Sequence, residues 1–462
     1  MKKEFARSRV LVTLILTGLL FAGTILAACV PVAPPTAEPA APTEAAPEPA
    51  EEAEAPAPEP QEEEVVLRIM DNWGADPTHS KYTPLHSAFE DFMALYPNIK
   101  IEEEVFGDHE IPTKVVTMYL AGEEPDLVLQ NLHQAALDWL DDGVTIEATD
   151  LAKEWGLYDS LKPEAVAEWT DGQGRLRALP VEGYTWPLWY NTKILDEAGV
   201  EIPKTTDELI AVAQAVREAG YQPYATGGSE WTGQFDFFLT LATYLTDEEI
   251  VELYSKGGWT DNPNAVKGVE LFVKLRDAGV FVDDAEGLTN AARNEMFYSE
   301  EAAIMHGGAW YYADAPNEIK DHVVLGGFPL PPESPREKPP IYASFEAKGL
   351  WITRNGAEKM DAVEKFVKFF FQPEIMARFV EQAAMTSPLK ETPVDESQLD
   401  ALFVQSIQFG DDVEVALIHK VYVPPEASDN LRRVANEAYL PGTSAETILT
   451  RLDEVYEDLG LD

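Results

Sequence analysis

One cysteine stands among 462 residues, so no disulfide can form within the chain and stability must come from a buried core. Basic residues are also scarce: 34 Lys and Arg face 82 Asp and Glu, a net charge of −48. That balance excludes a nucleic acid as partner. The seven histidines are scattered, with no HExxH or HxH pairing, which removes the usual zinc arrangements. Neither the phosphate-cradling GxxxxGK[ST] loop nor the GxSxG nucleophile elbow occurs. The loop DNWGADPTHSKY fails the calcium-loop pattern because Gly74 comes too early. Acidic residues are so abundant that some pair must fall at glycosidase spacing by chance. Asp283-Asp284 is one such pair, and a solvated helix start explains it better than catalysis does. No metal or cofactor is expected, and no internal repeat is visible. These absences argue against an enzyme and leave binding as the function to consider.

The N-terminus has a distinct character. MKKEFARSR is basic, an apolar run VLVTLILTGLLFAGTIL follows, and small residues precede Cys29. This order describes a secretory signal peptide over residues 1–28. A membrane-spanning helix is the alternative, since the run could be long enough. Leu26-Ala27-Ala28-Cys29 resembles the lipobox of bacterial lipoproteins. The resemblance implies that Cys29 is acylated and anchors the protein to the membrane on its extracytoplasmic side. Residues 30–64 are Pro, Ala and Glu, without a basic or aromatic side chain. Such a segment cannot bury enough apolar surface to offset its ordering entropy. Over 29–64 we therefore expect an acylated Cys and a disordered, extended tether; a generic low-complexity tail has the same composition.

The working part is residues 65–462. A leader of +3 and a tether of −10 leave it a charge of −41, which disfavours anionic ligands and keeps the surface soluble. Its pattern alternates strand and helix. VVLRIM is β-prone. TPLHSAFEDFMALYP places Leu85, Phe89, Phe92, Met93 and Tyr96 on one helical face before Pro97. IKIEEEV alternates as a half-buried strand does, and Asp126 opens a further apolar run after Gly122. The reading is an α/β fold with a mainly parallel sheet. Later segments are richer in helix. Thr205 and Glu208 have capping-box spacing, as do Thr443 and Glu446. Gly220 and Gly279 stop two helices, and Pro373 interrupts a third region.

Residues 179–191, LPVEGYTWPLWYN, hold four aromatic side chains between Tyr184 and Tyr190. A buried strand prefers Val, Ile and Leu, and a solvent loop avoids so much apolar surface. Alternation puts Tyr184, Trp186 and Leu188 on one side and Thr185 and Trp189 on the other, unless a bulge exchanges the faces.

Several stretches together resemble the extracellular solute-binding proteins of ABC importers, the family that includes maltose- and other sugar-binding proteins. They are FEDFMALYPNIKIE, AGEEPDLVL, GRLRALPVEGYTWPLWYNTKILDEAGVEIPKTTDEL, FYSEEAAIMHGGAW, GGFPLPP and KGLWITRNGAEKMDAVEKFVKFFFQPE. They run in family order across nearly all of 65–462. The resemblance implies a two-lobed periplasmic-binding-protein fold of type II, the Venus-flytrap form, with a ligand cleft between lobes. Crossings near Pro180, Phe328-Pro329 and Ser387-Pro388 would divide it into lobe one, 65–180 plus 329–386, and lobe two, 181–328 plus 387–462. The chain departs from better-known members in its long acidic tether and in His306 with two glycines before the Gly-x-Trp. It also carries Gln130 and Asn131 where sugar binders often place an aromatic.

By the same resemblance, Tyr184 and Trp186 reach the cleft, while Trp189 and Tyr190 pack in lobe two. Trp73, Gln130, Asn131, Glu230, Trp231, His306, Trp310, Phe345 and Glu346 complete the expected ligand-binding set. Flat rings suit the C–H faces of a pyranose, and amide and carboxylate groups suit its hydroxyl rim. Aromatic packing adds about 0.5–1.5 kcal/mol per contact, against about 8 kcal/mol needed for micromolar affinity. The expected partners are a small-molecule sugar and the permease subunits of an ABC importer, with the chain acting as a monomer. Another neutral or cationic solute, such as a polyamine or a glycerol phosphodiester, and a lipid-anchored glycoside hydrolase are the alternatives.

Overall fold

In a computed structural model, residues 63–460 other than His133 are described. The expected signal peptide, Cys29 and the expected tether up to residue 62 lie outside the described residues; Glu63 and Glu64 are exposed and belong to no element. Among the described residues no helix is long and apolar enough to cross a membrane.

The strands in chain order are β1 (Val65–Asp71), β2 (Ile99–Val105), β3 (Leu127–Gln130), β4 (Leu179–Trp186), β5 (Leu188–Asn191), β6 (Gln222–Ala225), β7 (Ala302–His306), β8 (Val323–Gly326), β9 (Pro340–Ile352) and β10 (Glu414–Ala416). The first sheet is built on β1, which lies parallel to β2 and β3. Helices Tyr82–Leu95 and Ile111–Ala121 make the crossovers, and their apolar faces supply the cover a parallel sheet needs. β9 then pairs antiparallel with β3, from Leu127 opposite Ile352 to Gln130 opposite Gly349. The second sheet has the order β6-β7-β5-β8, with β6 and β7 parallel and β5 antiparallel to both its neighbours.

Two hydrophobic cores form. One takes buried residues from Leu67 to Val181 and from Leu350 to Leu389. The other takes Tyr184 to Tyr342 and Leu402 to Tyr456, with Val380 and Ala384. β4 and β9 connect them. The 13 residues of β9 span about 40 Å. β4 runs antiparallel beside β9, from Leu179 opposite Leu350 to Trp186 opposite Tyr342, with register shifts on either side of Glu182. One end of this ribbon therefore lies in each core. Gly349 permits its close packing: a Cβ there would fall 2.4 Å from the Trp169 ring.

Local signals explain the element ends. Thr205 caps helix Thr206–Glu218 in a full capping box with Glu208. Gly122, Gly220 and Gly279 end their helices at positive φ. The expected box at Thr443 is corrected: Ser444 caps helix Ala445–Glu457, and its side chain accepts from the Thr447 backbone N–H. The Thr443 N–H is spent on the Leu440 carbonyl, so the turn extends one residue further.

Candidate ligand-binding cleft

Pro187 separates β4 from β5, and the aromatic stretch divides there. Trp189 and Tyr190 on β5 are sealed in the second core. The Trp189 indole donates to the Gly307 carbonyl at 2.7 Å, and the Tyr190 hydroxyl donates to the Gly327 carbonyl at 3.1 Å. Trp186, ending β4, is the hub of a ring cluster. Its centroid lies 4.5 Å from both His306 and Phe235, 5.1 Å from Trp310 and 5.5 Å from Trp231. Tyr184 meets Trp310 edge-on at 5.2 Å. Trp186 is only 2% exposed and Tyr184 6%, whereas Trp231 and Trp310 are half-buried. The ring surface still open to a ligand therefore belongs to Trp231 and Trp310, whose centroids are 6.1 Å apart.

Backbone chemistry places both rings. Trp231 opens helix Trp231–Ala242. Trp310 sits in the turn Ala309–Tyr311 and folds back over Gly308, where a Cβ would lie 2.2 Å from the indole. Glu230 precedes the helix, and its carboxylate accepts from the Asn290 N–H at 2.7 Å.

His306 lies beneath the cluster, fully buried. One ring nitrogen is 2.7 Å from Asp236 Oδ1 and the other 3.1 Å from the Trp186 carbonyl. Asp236 also accepts from the Tyr224 and Thr226 hydroxyls. With both nitrogens engaged and no exposed surface, His306 supports Trp186 from below and has no atom free for a ligand.

A polar group gathers at the end of β3. The Gln130 amide donates to the Asp108 carbonyl and to Asn131 Oδ1, both at 3.1 Å, and Gln130 Oε1 is buried without a partner. Asn131 donates to Asp108 Oδ2 at 2.9 Å. Lys348 on β9 forms an ion pair with the other Asp108 oxygen. Burial pushes the Asp108 carboxyl up, but the charge and hydrogen bond of Lys348, with further help from His109 and Lys420, bring it below its usual range.

Glu346 links the two groups. Its Oε1 accepts from the Tyr184 hydroxyl at 2.8 Å and pairs with Lys420 at 2.8 Å. Burial first, and then the charge of Glu346, hold the Tyr184 phenol well above its ordinary range. Phe345 and Trp73 stand apart from these groups. Phe345 is half-buried with Lys162 Nζ 5.3 Å from its ring centroid. Its N–H donates to Glu168, whose carboxyl burial pushes up to about 7. Trp73 is sealed in the first core, against Phe379 and Lys81.

The structure thus joins Tyr184, Trp186, Trp231 and Trp310 over His306, joins Gln130 with Asn131, and bridges toward both through Glu346. Sequence reasoning missed Asp108, Lys348, Lys420, Phe235 and Asp236. A buried Asp in the apolar helix WTGQFDFFLTLA was the one signal available for Asp236. Among the described residues no group of three or more His, Cys, Asp or Glu could hold a metal. The arrangement offers flat apolar surface and amide groups, with its buried charges already paired.

A family model described as bacterial extracellular solute-binding protein matches residues 75–377. A probable sugar-binding periplasmic protein of Rhizobium meliloti (strain 1021) is 28% identical over 213 residues, 44% of this chain and 49% of that protein. The chain spans about half the length of such curated relatives. A solved structure of a probable secreted solute-binding lipoprotein from Streptomyces coelicolor has 34% identity and a TM-score of 0.75, covering 85% of this chain and 98% of that one. A chitin oligosaccharide binding protein has the same fold at 21% identity and a TM-score of 0.74, over 86% and 98% of the two chains.

Proposed function

The chain belongs to the bacterial extracellular solute-binding proteins, and we propose that within this family it captures an oligosaccharide and delivers it to the permease of an ABC importer. The observation that carries this reading is the half-buried pair Trp231 and Trp310, seated on Tyr184 and Trp186 where β4 and β9 pass from one core to the other. Sugar C–H faces pack on such rings, and the Gln130 and Asn131 amides suit hydroxyl groups. Because Asp108 is paired with Lys348 and Glu346 with Lys420, an uncharged guest meets no unpaired buried charge. The Rhizobium meliloti relative is named sugar-binding, which supports the same class of guest.

In this proposal lobe one is 65–180 plus 329–386 and lobe two 181–328 plus 387–462, hinged on the β4–β9 ribbon. The ligand contacts both lobes, and its differential affinity for the closed form drives closure. Cys29 carries the lipid anchor, the protein acts as a monomer outside the cytoplasmic membrane, and no bond in the guest is broken. A calorimetric screen of mono- and oligosaccharides tests this. Micromolar binding of one saccharide class is expected. Binding of a polyamine or a glycerol phosphodiester instead, or the appearance of shortened oligosaccharides, would overturn it.

A further inference from the structure

Three hydrogen bonds away from the aromatic cluster, and one ion pair at its edge, span the two cores. Gln134, in the turn Gln134–Ala136 whose Ala136 is buried in the first core, donates from its amide to the carbonyls of Lys420 and Val423, each at 3.2 Å. Val423 is buried in the second core. Lys420 from the same turn reaches Glu346, which is 1% exposed and whose carbonyl accepts from the N–H of Leu132 in the first core. At a separate place, the Ser80 N–H, just before helix Tyr82–Leu95, donates to Asp314 Oδ1 at 3.0 Å. Asp314 lies between Tyr312 and Ala315, both buried in the second core. The partners are 234, 286 and 289 residues apart in the chain for Ser80–Asp314, Gln134–Lys420 and Gln134–Val423.

None of these contacts needs a ligand. Each joins groups anchored in different cores, so rotation about the β4–β9 ribbon would break them together. We propose that they form an intrinsic latch, through which the ligand-free chain populates the closed arrangement and the protein itself sets part of its ligand affinity. The inference rests on the two-lobed reading above and adds a means of regulating that same cleft. A binding-competent state populated only in part raises the apparent Kd by the inverse of its fraction. A latch that raises this fraction tightens binding of any guest the closed cleft accepts, without touching the guest.

Gln134→Ala removes the double donor. Gln134→Glu keeps the size but sets a carboxylate against two carbonyls, and Asp314→Ala removes the other contact. Gln134 is half-buried and Asp314 exposed, so the variants should fold, and circular dichroism would verify it. Small-angle X-ray scattering of the ligand-free full chain should give a smaller radius of gyration for the unmodified protein than for Gln134→Glu or the Gln134→Ala, Asp314→Ala double variant. Where a ligand is in hand, the double variant should bind it about 5-fold more weakly, as its closed fraction falls. Identical ligand-free scattering of all forms would overturn the latch. Because scattering needs no sugar, a failure to bind saccharides would count against the proposed guest alone.

Discussion

Trp186 and Gln130 are both almost fully buried, yet they are held in place by opposite means. Trp186 is gripped by rings on several sides and by one indole hydrogen bond, 3.2 Å to the His306 carbonyl. Gln130 is fixed by an amide network around Asp108, whose charge Lys348 balances. The aromatic face depends on shape, because packing fails when volume is removed. The polar face depends on charge pairing, because a buried ion without its partner is costly. A cleft with one wall of each kind can offer a guest apolar surface and hydrogen bonds while presenting little net charge.

The largest effect that would sharpen this contrast is Trp186→Ala. It leaves a cavity under Trp231 and Trp310 and should cost about 3–5 kcal/mol of stability, measured by urea unfolding. A loss under about 1 kcal/mol would mean that the cluster is not packed as described.

Asp108→Ala should come next, at about 2 kcal/mol, because Lys348, 6% exposed, keeps its charge without a partner. The pH dependence has a defined sign. The Asp108 carboxyl lies below its usual range when folded, so its contribution is present above the unfolded carboxyl value and lost as pH falls through the lower folded one. Comparing acid unfolding of the two proteins checks this, and the variant should lose less stability below about pH 4. Equal loss in both would remove charge pairing from the account of the polar face.

The same contrast explains what could be read in the sequence. β2 was legible residue for residue, since IKIEEEV alternates and Tyr-Pro-Asn precedes it. The aromatic face was legible because two of its members sit close together in one stretch, 179–191. Which of those rings stay open to solvent was not, because it depends on Phe235 and His306 packing from other elements. The polar face was half legible: Gln130 and Asn131 are adjacent, but Asp108, Lys348 and Lys420 lie far apart in sequence and meet only through β9. The long run of β9 from one core to the other was equally hidden: Ser344 to Lys348 alternates polar and apolar as a strand does, but nothing in that pattern tells that its two ends pack in different cores.

In the proposed binding mode the guest rests on Trp310 and Trp231. Titration calorimetry of Trp310→Ala against the unmodified protein, with whichever saccharide the screen identifies, tests it most directly. Loss of one platform should weaken binding about tenfold or more, with the unfolding midpoint little changed because Trp310 is only half-buried. An unchanged Kd in a folded Trp310→Ala protein would contradict it.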